Sequence, residues 1–275
     1  MGLRITTNIP SLNAQRNLRQ NSNSLQTSME RLSSGFRINK SSDDVAGLAI
    51  SEKMRGQIRG LGQAQRNAQD GISFVQVAEG ALSETSNILI RVRELATQAA
   101  SDTVSDTERA FINVEVGQLL TELDRIAQTT EYSGTKLLDG SGGSLDFHVG
   151  TSGSENNIIS FDASQANATA SSLGVSGMSV ASKSEARSVL DNLDEALTKV
   201  GTMRANFGAI QSRMGSTINN LAVYEENLAA ANSRIRDADM AKEAADLAKN
   251  SIIQQASVAT LTQANTNTAL ALKLL

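Results

Sequence analysis

The sequence has no cysteine, no tryptophan, one proline, one histidine and only 3% aromatic residues among 275. Without cysteine there is no disulfide, no thiolate metal site and no cysteine nucleophile. One histidine excludes any centre that needs two imidazoles. No run of about 18 apolar residues occurs, so no membrane insertion is expected. The start, Met1-Gly2-Leu3-Arg4-Ile5-Thr6, lacks the apolar stretch of a signal peptide, so no cleaved leader is expected. Gly2 and Thr6 fit a myristoylation pattern, and Asn39-Lys40-Ser41 and Asn167-Ala168-Thr169 fit a glycosylation pattern. Patterns this short are read as coincidence. A net charge of −4 leaves no overall basic footprint for nucleic acid.

What is present is helical periodicity. Apolar content is 40%, supplied mostly by Ala, Leu, Ile, Val and Met, which suit close helix packing. The lone proline leaves helix interiors unbroken. From Val189 the apolar positions run Leu193, Ala196, Val200, Met203, Phe207, Ile210, Met214, Thr217, Leu221, Tyr224, Leu228, Ala231, Ile235 and Ala238. Their spacing alternates four and three, the seam of a coiled coil. Such a helix is roughly 75 Å long, which predicts an elongated molecule. A second long pattern runs from Ile50 through Leu61, Ala68, Val75, Leu82, Leu89 and Val92 to Ala99. Gly56, Gly60, Gly62, Gly71 and Gly80 weaken it, so it needs tertiary support. A shorter helix carries Ile112, Val116, Leu119, Leu123 and Ile126, with Ser105 or Asp106 as its N-cap.

From Ser133 to Ser184 the helical period stops and Gly, Ser and Asn dominate. Leu145 to Val149 alternates like a strand, Ile158 to Phe161 is its candidate partner, and Gly150 to Asn157 is the loop between them. The expected fold is therefore mainly α. It is an elongated rod of long antiparallel coiled-coil helices, with a small β-hairpin region at one end where two long helices turn back. The two chain ends differ again. Ile5, Ile9 and Leu12 share one helical phase, and Leu25, Met29, Leu32 and Phe36 another. Near the other end Ile252, Ala256 and Ala259 share a face. Both ends are thinly apolar, so neither buries enough alone to offset its ordering entropy. Pairing of the ends within an assembly of copies is the natural reading.

No constellation points to catalysis, a cofactor or a metal. Asp43-Asp44, followed by Val45-Ala46-Gly47, reads as the opening of the long helix, where carboxylates suit the helix dipole. Strand alternation puts His148 on the solvated face, opposite Leu145, Phe147 and Val149. Gly60-Leu61-Gly62 lacks the remaining glycine and the preceding strand of a dinucleotide loop.

Several distinctive stretches follow one another at the two ends of the chain. They include Ser11-Leu12-Asn13-Ala14-Gln15-Arg16-Asn17-Leu18, Arg31-Leu32-Ser33-Ser34-Gly35-Phe36-Arg37-Ile38-Asn39 and Asp43-Asp44-Val45-Ala46-Gly47-Leu48-Ala49. Arg66-Asn67-Ala68-Gln69-Asp70-Gly71-Ile72-Ser73, Arg91-Val92-Arg93-Glu94-Leu95-Ala96 and Ser233-Arg234-Ile235-Arg236-Asp237-Ala238-Asp239-Met240 follow, then Gln263-Ala264-Asn265 and the final Leu274-Leu275. In these stretches and their order the chain resembles the bacterial flagellin family over roughly residues 1–140 and 185–275, without large outer domains between them. Where the family often has Phe-Asn-Gly before Lys-Leu-Leu, this chain has Tyr132-Ser133-Gly134-Thr135.

The resemblance implies a structural subunit that polymerises into the flagellar filament used for swimming. It would be exported unfolded by the flagellar type III path, without a cleaved leader, and assembled outside the cell at the filament tip. The alternative is a hook–filament junction protein, which shares the terminal helices. Residues 1–40 and 240–275 would form an inner terminal domain, disordered in the monomer. Its packing residues would be Ile5, Ile9, Leu12, Leu25, Met29, Leu32, Ile252, Ala256, Ala259, Leu274 and Leu275. Residues 41–140, 141–184 and 185–239 would form the rod domain. Implied partners are copies of itself, an export chaperone, the filament cap and the flagellin-sensing Toll-like receptor of animal hosts. Arg91, Leu95 and Glu115 match the family's receptor-contact positions and also suit contact with a neighbouring subunit, while Leu95 lies beside the core seam.

Overall fold

The computed structural model describes the backbone of residues 7–273 and the side chains of residues 7–266. Two compact units share the chain: residues 59–225, and residues 1–58 together with 226–275. Two long helices, α2 (Val45–Ala99) and α5 (Lys183–Arg236), contribute residues to both.

In unit 59–225, α2 packs with α5 and with α3 (Asp106–Thr129). Cross-links fix the directions. Glu79 meets Arg204 and Arg93 meets Asp194, so α2 and α5 are antiparallel. Arg91 meets Glu115, so α2 and α3 form an antiparallel hairpin. The shared core is the one the spacing predicts. Leu61, Ala64, Ala68, Val75, Ala78, Leu82, Leu89, Val92 and Ala96 of α2 are buried. From Val75 onward they pack with Val189, Leu193, Ala196, Val200 and Phe207 of α5 and with Ile112, Val116 and Leu123 of α3, whereas Ala68 clusters with Val149, Ile159 and Met214. The seam of α5 opens beyond Leu221, where Tyr224 is already exposed.

The start of α3 is held by a capping box. The Ser105 hydroxyl accepts the Glu108 N–H, and the Glu108 carboxylate accepts the Ser105 N–H at 2.7 Å. That satisfies two of the donors a helix start leaves unpaired. At the start of α2, Asp44 Oδ1 accepts the Gly47 N–H at 2.9 Å while its carbonyl takes the Leu48 N–H. The neighbouring Asp43 accepts the N–H groups of Asn39 and Lys40. Asp44 thus does the helix-opening work expected of the pair, whereas Asp43 closes the turn that precedes the helix.

Between α3 and α5 lie two hairpins. The first, β1 (Glu131–Tyr132) with β2 (Thr135–Lys136), has a two-residue turn with Ser133 at φ 51° and Gly134 at φ 83°. Two positive φ angles are what a type I′ hairpin turn requires. The second, β3 (Ser144–His148) with β4 (Ile158–Asp162), pairs Leu145 with Phe161 and Phe147 with Ile159. A short helix, α4 (Ala170–Leu173), ends at Gly174 with φ 81° before the chain returns to α5.

The scarce aromatics gather here. The Phe74 ring of α2 meets Tyr132, Phe147 and Phe161 edge-on at 5.9, 5.7 and 5.8 Å, and Phe161 leans on Phe207 at 4.9 Å. Gly71 makes this approach feasible. A Cβ there would stand 2.7 Å from the Met214 methyl and 3.1 Å from the Phe147 ring. The β3–β4 hairpin therefore packs beside residues 60–74 of α2, whereas the nearby chain reversals lie at residues 100–105 and 174–182. The hairpin end of this unit is not where the helices turn back. His148 is half-buried, not solvated as alternation suggested. Its carbonyl accepts the Asn67 amide at 2.9 Å, which draws that strand end onto α2.

In the other unit, α1 (Ile9–Ser34) runs antiparallel to α6 (Met240–Lys273). Asn8 caps α1 by accepting the Ser11 N–H, and the lone proline, Pro10, sits in the first turn where its missing N–H costs nothing. Gly35, with φ 74°, ends the helix in the left-handed region.

Candidate subunit-contact surfaces

The α1–α6 pair does not pack on the residues that apolar phase selects. On α1 the inward positions are Ser11, Ala14, Leu18, Asn21, Leu25, Ser28 and Leu32. On α6 they are Glu243, Leu247, Asn250, Gln254, Ser257, Leu261 and Ala264. Both sets alternate threes and fours, so this is a coiled-coil seam written largely in small and polar residues. Hydrogen bonds cross it. Asn8 Nδ2 donates to the Ala264 carbonyl at 3.0 Å, Ser11 Oγ to Asn265 Oδ1 at 3.0 Å, and Asn21 Nδ2 to the Asn250 carbonyl at 2.8 Å. Arg31 reaches Glu243 at 3.8 Å.

Among the predicted packing residues, Leu25 and Leu32 lie half-buried on this seam. Ile9, Leu12, Met29, Ile252, Ala256 and Ala259 face outward and are exposed. Ile5, Leu274 and Leu275 lie outside the described residues. The phase reading followed hydropathy, and apolar residues stand on both faces here, with Leu18, Leu25, Leu32, Leu247 and Leu261 on the seam and Ile9, Leu12, Met29 and Ile252 outside it. The missed signal was the three-four spacing of Ser, Ala and Asn. The resulting surface is apolar in water: Ile252 is 67% exposed and Leu12 56%.

Two motifs far apart in sequence meet at the base of this pair. Phe36 bridges Asp237 as in an antiparallel ladder. The Arg37 N–H donates to the Arg236 carbonyl at 2.7 Å, and the Ala238 N–H to the Gly35 carbonyl at 2.9 Å. The Arg236 guanidinium lies 4.6 Å from the Phe36 ring centre and pairs with Glu52 at 2.7 Å. Four helix ends are thus tied at one level, with Ile38 buried beneath them.

On unit 59–225 the structure joins Arg91 and Glu115 at 3.0 Å, and Arg91 also meets Glu94 at 3.1 Å. These carboxylates hold the Arg91 guanidinium pKa above its ordinary value, Glu115 contributing most. Arg91 and Glu115 are about half exposed. Leu95 is not, at 3%. It belongs to the core between α2 and α3, so it supports the surface from beneath and offers no side chain to a partner. Among the described residues there is no cluster of three metal-ligating groups, and no helix is long and apolar enough to cross a membrane.

The family model for the bacterial flagellin N-terminal helical region matches residues 5–142, and that for the C-terminal helical region matches residues 190–275. The chain belongs to the bacterial flagellin family. A flagellin of Halalkalibacterium halodurans is 46% identical, covering 98% of this chain and 99% of its own. A flagellar filament core protein of Treponema maltophilum is 44% identical, covering 95% and 96%. Among solved structures, a Bacillus cereus flagellin is 31% identical with a TM-score of 0.51, covering 61% of this chain and 94% of its own. A putative flagellar hook-associated protein of Vibrio parahaemolyticus reaches a TM-score of 0.59 over 71% of this chain and all of its own. At 13% identity, that likeness shows a shared fold alone. Flagellins are structural proteins, and this chain has the short form of the family, with two hairpins, two 3-10 turns and α4 between α3 and α5.

Proposed function

We propose that this chain is the structural subunit of a bacterial flagellar filament and polymerises with copies of itself. The observation that carries the reading is the outward apolar face of α1 and α6, present in a chain that matches filament proteins over nearly its full length. Ile9, Leu12, Met29, Ile252, Ala256 and Ala259 gain cover only from neighbours. Residues 1–40 and 240–275 are read as the packing domain, disordered in the monomer and ordered on assembly. Residues 41–140, 141–184 and 185–239 form the remaining domain. The polar seam supports this, because small polar contacts contribute little net stability until the apolar face is also covered. Ile5, Leu274 and Leu275 belong to the same packing set.

Unfolded ends suit passage through the flagellar export path, with a chaperone guarding them inside the cell and the filament cap guiding them outside it. The Arg91–Glu115 pair, seated over Leu95, is the surface read as the contact for the animal Toll-like receptor and for a neighbouring subunit.

Electron microscopy of purified chain on sheared filament seeds tests the reading. Long propagating filaments are expected. Short oligomers that do not propagate would instead support the hook–filament junction alternative. Limited proteolysis, run on monomer and filament side by side, is expected to trim residues near 1–40 and 240–275 in the monomer alone. Equal resistance in both would overturn the disorder of the ends.

A further inference from the structure

The outer face of α3 breaks the pattern of a solvated helix. Phe111 is 71% exposed and Val114 64% exposed, on the side away from Ile112, Val116 and Leu123 of the core. An aromatic ring this exposed offers a partner a large apolar anchor. Elsewhere in the same unit lies an open cavity of about 320 Å³. Its walls are Phe161 and Asp162 of β4 and Met203, Asn206, Phe207 and Ile210 of α5. The stacked Phe161 and Phe207 rings form an apolar floor. The Asp162 wall is preset, because its carboxylate accepts the Ser164 N–H and hydroxyl and the Gln165 amide. The cavity is at the small end for a drug-sized ligand and suits one large side chain.

We propose that Phe111 of one copy inserts into this cavity on a second copy. The proposal rests on the filament reading above and names two halves of a contact within it. A knob and a hole on different elements make a heterologous contact, which propagates instead of closing as a two-fold pair does. A buried aromatic anchor of this kind dominates the energy of many interfaces.

The antiparallel pairings also set a stagger. Phe111 is one turn from Glu115, which meets Arg91, so it lies level with about residue 95 of α2. Arg204 meets Glu79, so the cavity lies level with about residue 75. Twenty residues of helix span about 30 Å, so contacting copies are offset by about 30 Å along α2.

The absence of cysteine makes the test clean, since introduced thiols are the only ones present. Ala209 is exposed at the cavity rim. Chains carrying Phe111→Cys are mixed with chains carrying Ala209→Cys, polymerised on seeds and treated with a mild thiol oxidant. Two thiols lose two protons and two electrons to the oxidant and form one disulfide. Linked dimers are expected from the mixed filament, and neither from the mixed monomers nor from either variant alone. Filaments without linked dimers would overturn the contact and leave the filament reading standing. A wild-type chain that forms no filaments would overturn both. In parallel, Phe111→Ala is expected to raise the critical concentration about tenfold, Phe111→Leu to recover part of it, and Val77→Ala to leave it unchanged. Assembly of Phe111→Ala at the wild-type concentration would sink the proposal.

Discussion

Unit 59–225 and the α1–α6 pair are both helical, yet they cohere by different means. The first buries Leu, Val, Ile and Phe from three helices and a hairpin. The second brings Ser, Ala and Asn together and leaves Ile9, Leu12 and Ile252 in water. Charge divides the same way. Residues 59–225 carry twelve Lys and Arg against twenty Asp and Glu, while residues 1–58 with 226–275 carry thirteen against nine. The contrast teaches a division of labour. One unit buries its apolar side chains within itself, and the other leaves several of its own exposed.

Core deletions break this contrast hardest. Leu193→Ala removes a fully buried side chain and is expected to destabilise unit 59–225 by about 3–5 kcal/mol. Leu25→Ala, on the half-buried polar seam, is expected to cost about 1 kcal/mol, because half the transfer energy is at stake and the site can collapse. Both tyrosines, Tyr132 and Tyr224, lie in unit 59–225, so tyrosine fluorescence follows that unit by itself. Its denaturant midpoint should drop for Leu193→Ala and stay unchanged for Leu25→Ala. A large shift with Leu25→Ala would mean that the two units unfold as one.

The long-helix glycines sharpen the comparison at smaller magnitude. At Gly71 an added Cβ meets Met214 and Phe147, while at Gly56 nothing lies within 4 Å. Gly56→Ala is expected to stabilise α2 by up to about 1 kcal/mol through helix propensity. Gly71→Ala gains the same propensity but overpacks the hairpin contact, for a net loss of about 1 kcal/mol. Hydrogen exchange along α2 would register opposite signs at the two sites. A stabilising Gly71→Ala would show that Met214 repacks freely and that the glycine is not required there.

What the sequence disclosed follows the same line. Where packing is apolar, spacing sufficed: the α5 seam from Val189 to Leu221, the core face of α2, the Asp44 cap and the β3–β4 pairing were all legible. Where packing is polar it was not. Ser11, Asn21, Ser28 and Gln254 carry no hydropathy signal, so beyond Leu25 and Leu32 the described packing residues were assigned to positions that face outward. The β1–β2 turn was hidden because Ser133 is an unusual residue at positive φ. Leu95 was read both as a contact position and as a neighbour of the core seam, and its burial agrees with the second. The meeting of Phe36 with Asp237 spans most of the chain, and no local pattern encodes such a pairing.

Acid offers the mildest probe of the contrast, because it acts on caps and ion pairs without opening cavities. In unit 59–225 the N–H and hydroxyl of Ser105 hold the Glu108 carboxyl below its ordinary range, and Lys183 does the same for Asp102. Glu122 beside Arg125 and Asp162 beside Ser164 are lowered likewise. A carboxylate with a depressed native pKa adds stability that is complete above its unfolded value, near 4, and is lost as pH falls through the native value. Asp43, held by the N–H groups of Lys40 and Asn39, is the corresponding lowered carboxylate in the other unit. There Glu30 raises the Lys40 pKa, a contribution present at neutral pH and lost as the pH rises through the raised Lys40 value. The tyrosine-monitored melting temperature should therefore be level between pH 7 and about 5 and fall below about pH 4. Glu108→Gln should lower it modestly at pH 7 and flatten the acid limb. An unchanged acid limb in that variant would remove the α3 cap from the account and leave the ion pairs to carry it.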